Sequence, residues 1–500
     1  MSDILTTIIE RRLSDIEKLG LEFGCKIPKE RSRKVHPFLN EKGLILEVKR
    51  ASPSKGDIAP NLDSYQTALA YSESGARAIS CLTEKNFFKG SLEDLMNVCK
   101  AVDDFEKAEN DFPKKSPAVL RKDFLLSKEE IEVSFRAGAD AVLLIARILT
   151  KETFLEMAEE VVRLGLTGLI EVRTDDDLEK LAFVMAHVDK NHFVCGVNSR
   201  DLSTFKIDLL RPVMMKEKIV KIMGSDARII FESGVTTAEC AASVGSLGFA
   251  GILLGEAAAK NPCMAKEFVH AFENSKKTEN ASFWLEYAES SWANRAKKTR
   301  LKICGFTRSE DAEFSESLGA DFLGFVFSDG FARSVTRENR LENLLPILSN
   351  LKAKKVAVIT ETESSEAKKA IEFVKDGIFD VIQLHKIQYE KVNAEILNLP
   401  HYFATDNFDE YEKLASKGEM RVLLDLHGKS SENAFTERSK KNIVCEVKWL
   451  AGGITPQNAK EILERFKAEL IDVSGGVENE GLVGIKDESK LRELCLACLA

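Results

Sequence analysis

Short runs of Val, Ile, Leu and Ala recur along the chain, each followed by a longer stretch in which charged residues break up the apolar ones at helical spacing. Apolar runs separated by charged helical segments predict parallel strands joined by crossover helices, because such strands are covered on both faces. In the first half the runs fall at 44–48, 78–82, 118–120, 141–145, 168–172, 193–197, 228–231 and 251–254. Eight strands close a (β/α)8 barrel. The second half repeats the count with tighter spacing, at 301–303, 322–327, 355–359, 381–384, 402–404, 422–425, 447–451 and 470–473. The pattern therefore predicts an α/β chain of two consecutive (β/α)8 TIM barrels. A doubly wound open sheet is the alternative, but it would use fewer strands per domain and a G-x-G-x-x-G turn after its first strand, which neither half offers.

Between the two passes the alternation breaks into the polar, lysine-bearing stretch 274–299, which predicts barrels at 1–273 and 300–500 with a linker between them. Trp284 and Tyr287 in that linker suggest a helix packed on a barrel rather than a loose tether. Ahead of the first strand, residues 6–18 alternate charge and apolar character as an amphipathic helix does, without the uninterrupted apolar run of a signal peptide. Length agrees with two domains, since 500 residues exceed the ~250–300 at which single cores stop growing.

Charge removes some classes of function. With 80 acidic against 71 basic residues the net charge is -9, which gives no general basic field for nucleic acid. No stretch approaches the ~20 apolar residues that cross a bilayer. Ten cysteines are scattered singly apart from Cys495 and Cys498, a C-x-x-C without a second ligand pair, so helix-face packing is expected there rather than metal. Scattered thiols suit a reducing, cytoplasmic setting.

In a barrel, functional residues end the strands, and phosphate sits after strands 7 and 8. Ser233-Gly234 and Gly255 occupy those places in the first half, Gly452-Gly453 and Gly475-Gly476 in the second. Glycine lets backbone N–H groups approach an anion, although glycine in such a turn is often a purely structural need. Glu47 and Lys49 are two apart, so both face the same side of the first strand while Leu46 and Val48 face the helices. A solvated Glu-Lys pair is the plain alternative. Lys122, Glu171, Asn198 and Arg200 end other strands and complete a ring of acids and bases at one mouth, where crowding shifts pKa values.

The segments ILEVKRASPSKG, VLRKDF, LIEVRT, GVNSRDL, FESGV and ILLGEA, in this order, resemble indole-3-glycerol-phosphate synthase over about residues 1–272. The resemblance implies conversion of carboxyphenylaminodeoxyribulose phosphate to indoleglycerol phosphate with loss of carbon dioxide and water. It implies Lys122 as general acid on the ketone, Lys49 facing the substrate carboxylate, Glu171 as acid or base in dehydration, and Glu47 and Asn198 as orienting groups. Ser52, Gly234 and Gly255 would line the phosphate, with Arg200, Glu232, Ser233 and Leu254 also in the substrate's wall. Glu256 stands where many relatives have Ser. Neighbours that lower a lysine's pKa would help Lys122 donate its proton.

In the second half, KICGFT puts Cys304 at the end of the first strand and RVLLDLHG puts Asp425 at the end of the sixth. A buried cysteine is usually inert packing. These segments, with GFVF, VIQLH, WLAGGITPQNA and LIDVSGGVE, resemble phosphoribosylanthranilate isomerase over about residues 300–500. The resemblance implies an Amadori rearrangement in which Asp425 protonates the ring oxygen and Cys304, as thiolate, removes the C2 proton. A free thiol has a pKa of about 8.5, so a positive environment is expected at that mouth. Arg333 would hold the anthranilate carboxylate, Gly453, Gly475 and Gly476 the phosphate, with Gln383, His385, Gly452, Asp472 and Ser474 around the substrate; His385 could equally be a wall residue. Three features depart from the family pattern: Ser-Pro is missing before Arg333, Lys386 replaces Gly, and Gly475 replaces Ser.

The two activities are consecutive, so the fused chain would turn phosphoribosylanthranilate into indoleglycerol phosphate. Neither mechanism implies a metal or any cofactor. Small phosphorylated substrates are the expected partners of a monomer that binds neither nucleic acid nor membrane. The rival readings are a chain with only the synthase half active and a non-catalytic sugar-phosphate sensor.

Overall fold

The structure is a computed structural model that describes residues 4–108, 116–201, 204–260, 264–293, 299–426 and 447–499. It divides into two compact units, Met1–Lys277 and Thr278–Ala500. In the first, the strands Gly43–Val48, Ala78–Leu82, Ala118–Lys122, Ala141–Ile145, Thr167–Val172, Phe193–Asn198, Ile229–Glu232 and Gly251–Leu254 form a closed, all-parallel barrel, the eighth pairing with the first. Three strands outrun the apolar runs that predicted them at their C-terminal ends, and they do so by polar residues: Lys122, Asn198 and Glu232.

The pleat explains why those ends matter. Ile45, Leu120, Leu169, Val194, Ile230 and Leu253 share one core cluster inside the barrel. Side chains two residues further along point the same way, which brings Glu47, Lys122, Glu171, Glu232 and Gly255 to the C-terminal mouth directly above that apolar layer. Phe38 and Leu39 join the same cluster, and a Cβ on Gly251 would come within 2.9 Å of Leu39 Cδ1. The loop before the first strand thus closes the barrel's other end.

The N-terminal helix spans Ile4–Leu19. Leu5 and Ile8 enter the core cluster. One turn on, buried Arg12 pairs with Asp123 at 2.6 Å and with Glu130. Asp123 also accepts from Thr83 Oγ1 (2.5 Å) and Arg121 Nη2 (3.1 Å), so its charge is fully engaged. This network fastens the helix beside Lys122.

The second unit repeats the closed parallel barrel with Arg300–Cys304, Phe322–Val326, Lys354–Ile359, Val381–His385, His401–Thr405, Val422–Asp425, Trp449–Ala451 and Leu470–Val473. Its interior begins with aromatic rings. Trp449 lies 5.0 Å from Tyr402 and 6.0 Å from Phe322, rings carried by three different strands. The helix Glu279–Ala293 supplies Trp284 and Tyr287, 5.7 and 5.5 Å from Trp449. That helix therefore plugs the second barrel; residues 294–298 of the expected linker lie outside the described residues. Cys495 and Cys498, on the helix Glu488–Leu499, are buried in the shell between strands and helices. Among the described residues no helix is long and apolar enough to cross a membrane.

Candidate active sites

A cavity opens at the C-terminal mouth of the first barrel. Glu47, Lys49, Ser52, Lys122, Glu171, Asn198, Arg200, Glu232, Ser233, Gly234 and Gly255 all line it. Leu254 does not: Leu253 lines it instead, because the pleat turns Leu254 toward the helices. Ile4, Leu5 and Ile8 of the N-terminal helix form an apolar wall, with Phe88 and Phe205 from loops.

Lys49 Nζ sits 2.7 Å from Glu47 Oε1, and Lys122 Nζ sits 3.3 Å from Glu232 Oε2 and 3.8 Å from Glu171 Oε2. Asn198 Nδ2 donates to Glu171 Oε1 over 3.4 Å, and its Oδ1 accepts from the Arg200 amide at 2.9 Å. With Lys49 taken by Glu47, the carboxyls of Glu171 and Glu232 share a single ammonium. The consequences are opposite for the two partners. Burial disfavours the Lys122 charge, yet Glu232, Glu171 and Glu47 outweigh it and raise the lysine's pKa. The expected lowering is thus reversed, since three acids surround one cation. Burial and the nearby Glu171 carboxylate, against the pull of Lys122, push Glu232 up to about 8. Among the described residues, buried Glu47 Oε2 and Glu232 Oε1 accept no hydrogen bond, which leaves each carboxyl with one oxygen unsatisfied.

Close approach here depends on missing side chains. A Cβ on Gly196 would fall 1.9 Å from Glu232 Oε1, and one on Gly255 would fall 2.5 Å from Glu47 Oε1 and 3.0 Å from Lys49 Nζ. Ser233 and Gly234 follow each other at φ 67 and 82, a left-handed turn that costs energy for serine.

At the second mouth Cys304 and Gly324 are register partners, and a Cβ on Gly324 would lie 2.6 Å from Cys304 Sγ. The glycine of GFVF makes room for the thiol. Buried Lys302 donates to Asp472 Oδ2 at 2.5 Å and Gln383 Oε1 at 2.9 Å, and Tyr402 donates to the same Gln383 oxygen at 2.8 Å. Gln383 Nε2 faces His385 Nδ1 at 3.2 Å. Burial lowers the His385 pKa despite Asp425, which keeps the ring neutral. Asp472 is the neighbour common to Asp425 and Cys304.

The profile of the indole-3-glycerol phosphate synthase family matches residues 9–271. The chain belongs to that family. Residues 301–496 match the profile of N-(5'-phosphoribosyl)anthranilate isomerase. The indole-3-glycerol phosphate synthases of Bacillus cereus (strain AH187) and Bacillus anthracis are each 34% identical to this chain over 273 residues, covering 54% of it and 97% of their own length. Among solved structures, the isomerase from Thermotoga maritima is 25% identical with a TM-score of 0.33. That from Thermus thermophilus is 29% identical with a TM-score of 0.32. Each covers 40% of this chain and 98% of its own. A synthase domain and an isomerase domain in one chain make a bifunctional enzyme of tryptophan biosynthesis, acting on small phosphorylated substrates.

The isomerase barrel holds two surprises. Arg333 is already engaged: its Nε and Nη2 donate to the two oxygens of Glu478, each at 2.7 Å. The positive surroundings expected for Cys304 exist in Lys302 and Lys486, yet burial outweighs them and leaves the thiol pKa raised. Gly452 and Gly453 take φ of 91 and 68 after the seventh strand. A Cβ on Gly476 would strike Ile454 O at 2.0 Å, so the two glycine loops pack directly together beside Ser474. On Gly475 a Cβ would lie 3.3 Å from Arg333 Nη2.

Sequence reasoning missed Lys302, Tyr402, Glu478 and Lys486. Lys302 was findable, because it lies two residues before Cys304 and so faces the same side of the strand. Glu478 and Lys486 sit in a loop, where no periodicity marks them.

Proposed function

We propose that the isomerase barrel performs the Amadori rearrangement of phosphoribosylanthranilate and that the synthase barrel closes the indole ring of its product with loss of carbon dioxide and water. Asp425 protonates the ring oxygen of the sugar, and Cys304 takes the C2 proton. Arg333 receives the anthranilate carboxylate after turning part of its guanidinium away from Glu478, and the loops at Gly453, Gly475 and Gly476 hold the phosphate. His385, with Gln383, orients a hydroxyl of the opened chain.

In the synthase barrel, condensation needs a proton donor at the ketone oxygen and a base that restores aromaticity. Lys122, held beside Glu171 and Glu232, is the donor. Lys49 meets the substrate carboxylate, and Glu171 with proton-bearing Glu232 carries protons through dehydration. Asn198 orients Glu171, and Ser52, Ser233, Gly234 and Gly255 receive the phosphate with Arg200 at the rim. The N-terminal helix excludes water from the cavity by Leu5 and Ile8. Barrels at 1–273 and 300–500, joined through 274–299, would work as a cytoplasmic monomer without nucleic acid or membrane.

The observation that carries this reading is the contact of Lys122 with both Glu171 and Glu232 over an apolar barrel core. The test supplies phosphoribosylanthranilate and, separately, carboxyphenylaminodeoxyribulose phosphate to the purified chain and follows indoleglycerol phosphate and carbon dioxide. Both should appear. If carboxyphenylaminodeoxyribulose phosphate is consumed but phosphoribosylanthranilate is not, the isomerase assignment fails, and if neither is consumed the chain is a binding protein.

A further inference from the structure

Lys486 lies beyond the eighth strand of the isomerase barrel with a side chain that is 0% exposed. Its ammonium donates to Cys304 O at 2.7 Å, Ser474 O at 3.2 Å and Glu478 Oε1 at 3.2 Å, and rides 5.7 Å from the Phe306 ring centroid. Its backbone N–H donates to Asp311 Oδ2 at 3.0 Å. One side chain thus ties together the end of the first strand, the glycine loop at Ser474 and the carboxylate that grips Arg333.

A buried ammonium needs compensation, and two of its three acceptors are carbonyls that carry no net charge. The third, Glu478, is shared with Arg333. Two cations on one carboxylate leave a positive excess beside Cys304, whereas Lys302 and Asp472 on the other side form a balanced pair.

We propose that Lys486 is a positioning residue of the isomerase reaction: it fixes the backbone under Cys304, shapes the Ser474 loop and holds Arg333 through Glu478, and its charge favours the thiolate. Among the described residues, the groups that act electrostatically on the thiol include Lys302, Asp472, Tyr402, Lys486 and Arg333, the last two paired with Glu478. Of these, Asp472 opposes ionisation, and Lys302 and Lys486 favour it. The proposal rests on Cys304 as the base only for its kinetic part, since the ionisation of the thiol is measured separately.

The test uses the full chain with Lys486→Met, Lys486→Arg and Glu478→Gln, and reads the pH midpoint of Cys304 alkylation by iodoacetamide, mapped by mass spectrometry. Lys486→Met should raise the midpoint by on the order of one pH unit and lower kcat for isomerisation about tenfold. Lys486→Arg should restore the midpoint and part of kcat. Glu478→Gln should move the midpoint the opposite way, because it removes the anion shared by the two cations, and should raise KM as Arg333 loosens. Near-ultraviolet circular dichroism of the Trp284 and Trp449 cluster reports whether each variant keeps its fold. Equal midpoints in all folded variants, or movement in one direction for both charge changes, would overturn the proposal. Loss of turnover in Cys304→Ala is a separate test, and its failure would strike the assignment of the base while leaving the role of Lys486 in thiol ionisation to be judged by the midpoints.

Discussion

The two barrels gather polar residues at one mouth by different routes. In the synthase barrel the ionisable and amide groups of the mouth stand mostly on the strands themselves: Glu47, Lys122, Glu171, Asn198 and Glu232 are strand residues, positioned by the pleat above a core of Ile45, Leu120, Leu169 and Ile230. In the isomerase barrel only part of the apparatus does so, and Arg333, Glu478 and Lys486 arrive on loops and then lock each other by charge. Strand placement depends on alternation, which tolerates exchange of the outward neighbours. Loop placement depends on specific ion pairs and fails when one partner is lost.

The sharpest way to break the comparison is to disable one mouth at a time. Lys122→Ala should lower synthase turnover by ~10²–10⁴, the usual contribution of a positioned acid, and leave isomerisation unchanged. Cys304→Ala should do the reverse. Separate assays on phosphoribosylanthranilate and on carboxyphenylaminodeoxyribulose phosphate measure this, and a joint loss in either variant would show that the mouths are not chemically independent.

These particular residues also show what a sequence can reveal. Glu47 with Lys49, and Lys122 at the close of an apolar run, were readable because the period of two assigns them a face. The same rule places Leu254 outside and Leu253 inside, and would have found Lys302 from Cys304. It could not find Lys486, which is neither on a strand nor near Cys304 in sequence. Nor could it give the sign of the Lys122 shift, which depends on three acids brought together from three other strands.

The floors differ as well. Phe38 and Leu39 from a loop close the synthase barrel, whereas Trp284 and Tyr287 from a helix plug the isomerase barrel against Trp449. Trp284 is 1% exposed. Trp284→Ala should therefore destabilise the isomerase barrel by ~3–5 kcal/mol. Thermal unfolding followed by both activities should show isomerase activity lost at a lower temperature while synthase activity keeps its midpoint.

Acid–base balance separates the barrels more gently. Glu232 is raised to about 8 in the folded synthase barrel, well above an ordinary carboxyl. The folded state therefore binds the proton more tightly, and the stability this lends is complete below the unfolded pKa of about 4.3 and lost as pH rises through about 8. Glu232→Gln should flatten the fall in stability between pH 5 and 8, read by urea unfolding at several pH values; an unchanged slope would mean that Glu232 is ionised throughout.

The smallest effect expected concerns Lys386, which holds φ at 56, a conformation that suits glycine. A non-glycine residue there costs ~1–3 kcal/mol. Against this, the pair of Lys386 with Asp406 at 2.8 Å has both side chains nearly half exposed, 45% and 48%, and such a pair contributes only ~0.2–1 kcal/mol. Glycine also gives up more chain entropy on folding, by ~0.5–1 kcal/mol. The terms nearly cancel with a slight balance toward glycine, so Lys386→Gly should raise the isomerase melting temperature by no more than ~2–4 °C, the shift that 1 kcal/mol produces in a domain of this size. A larger fall instead would mean that Lys386 does more at that rim than pair with Asp406, and a rise in KM for phosphoribosylanthranilate without change in kcat would locate that contribution in substrate binding.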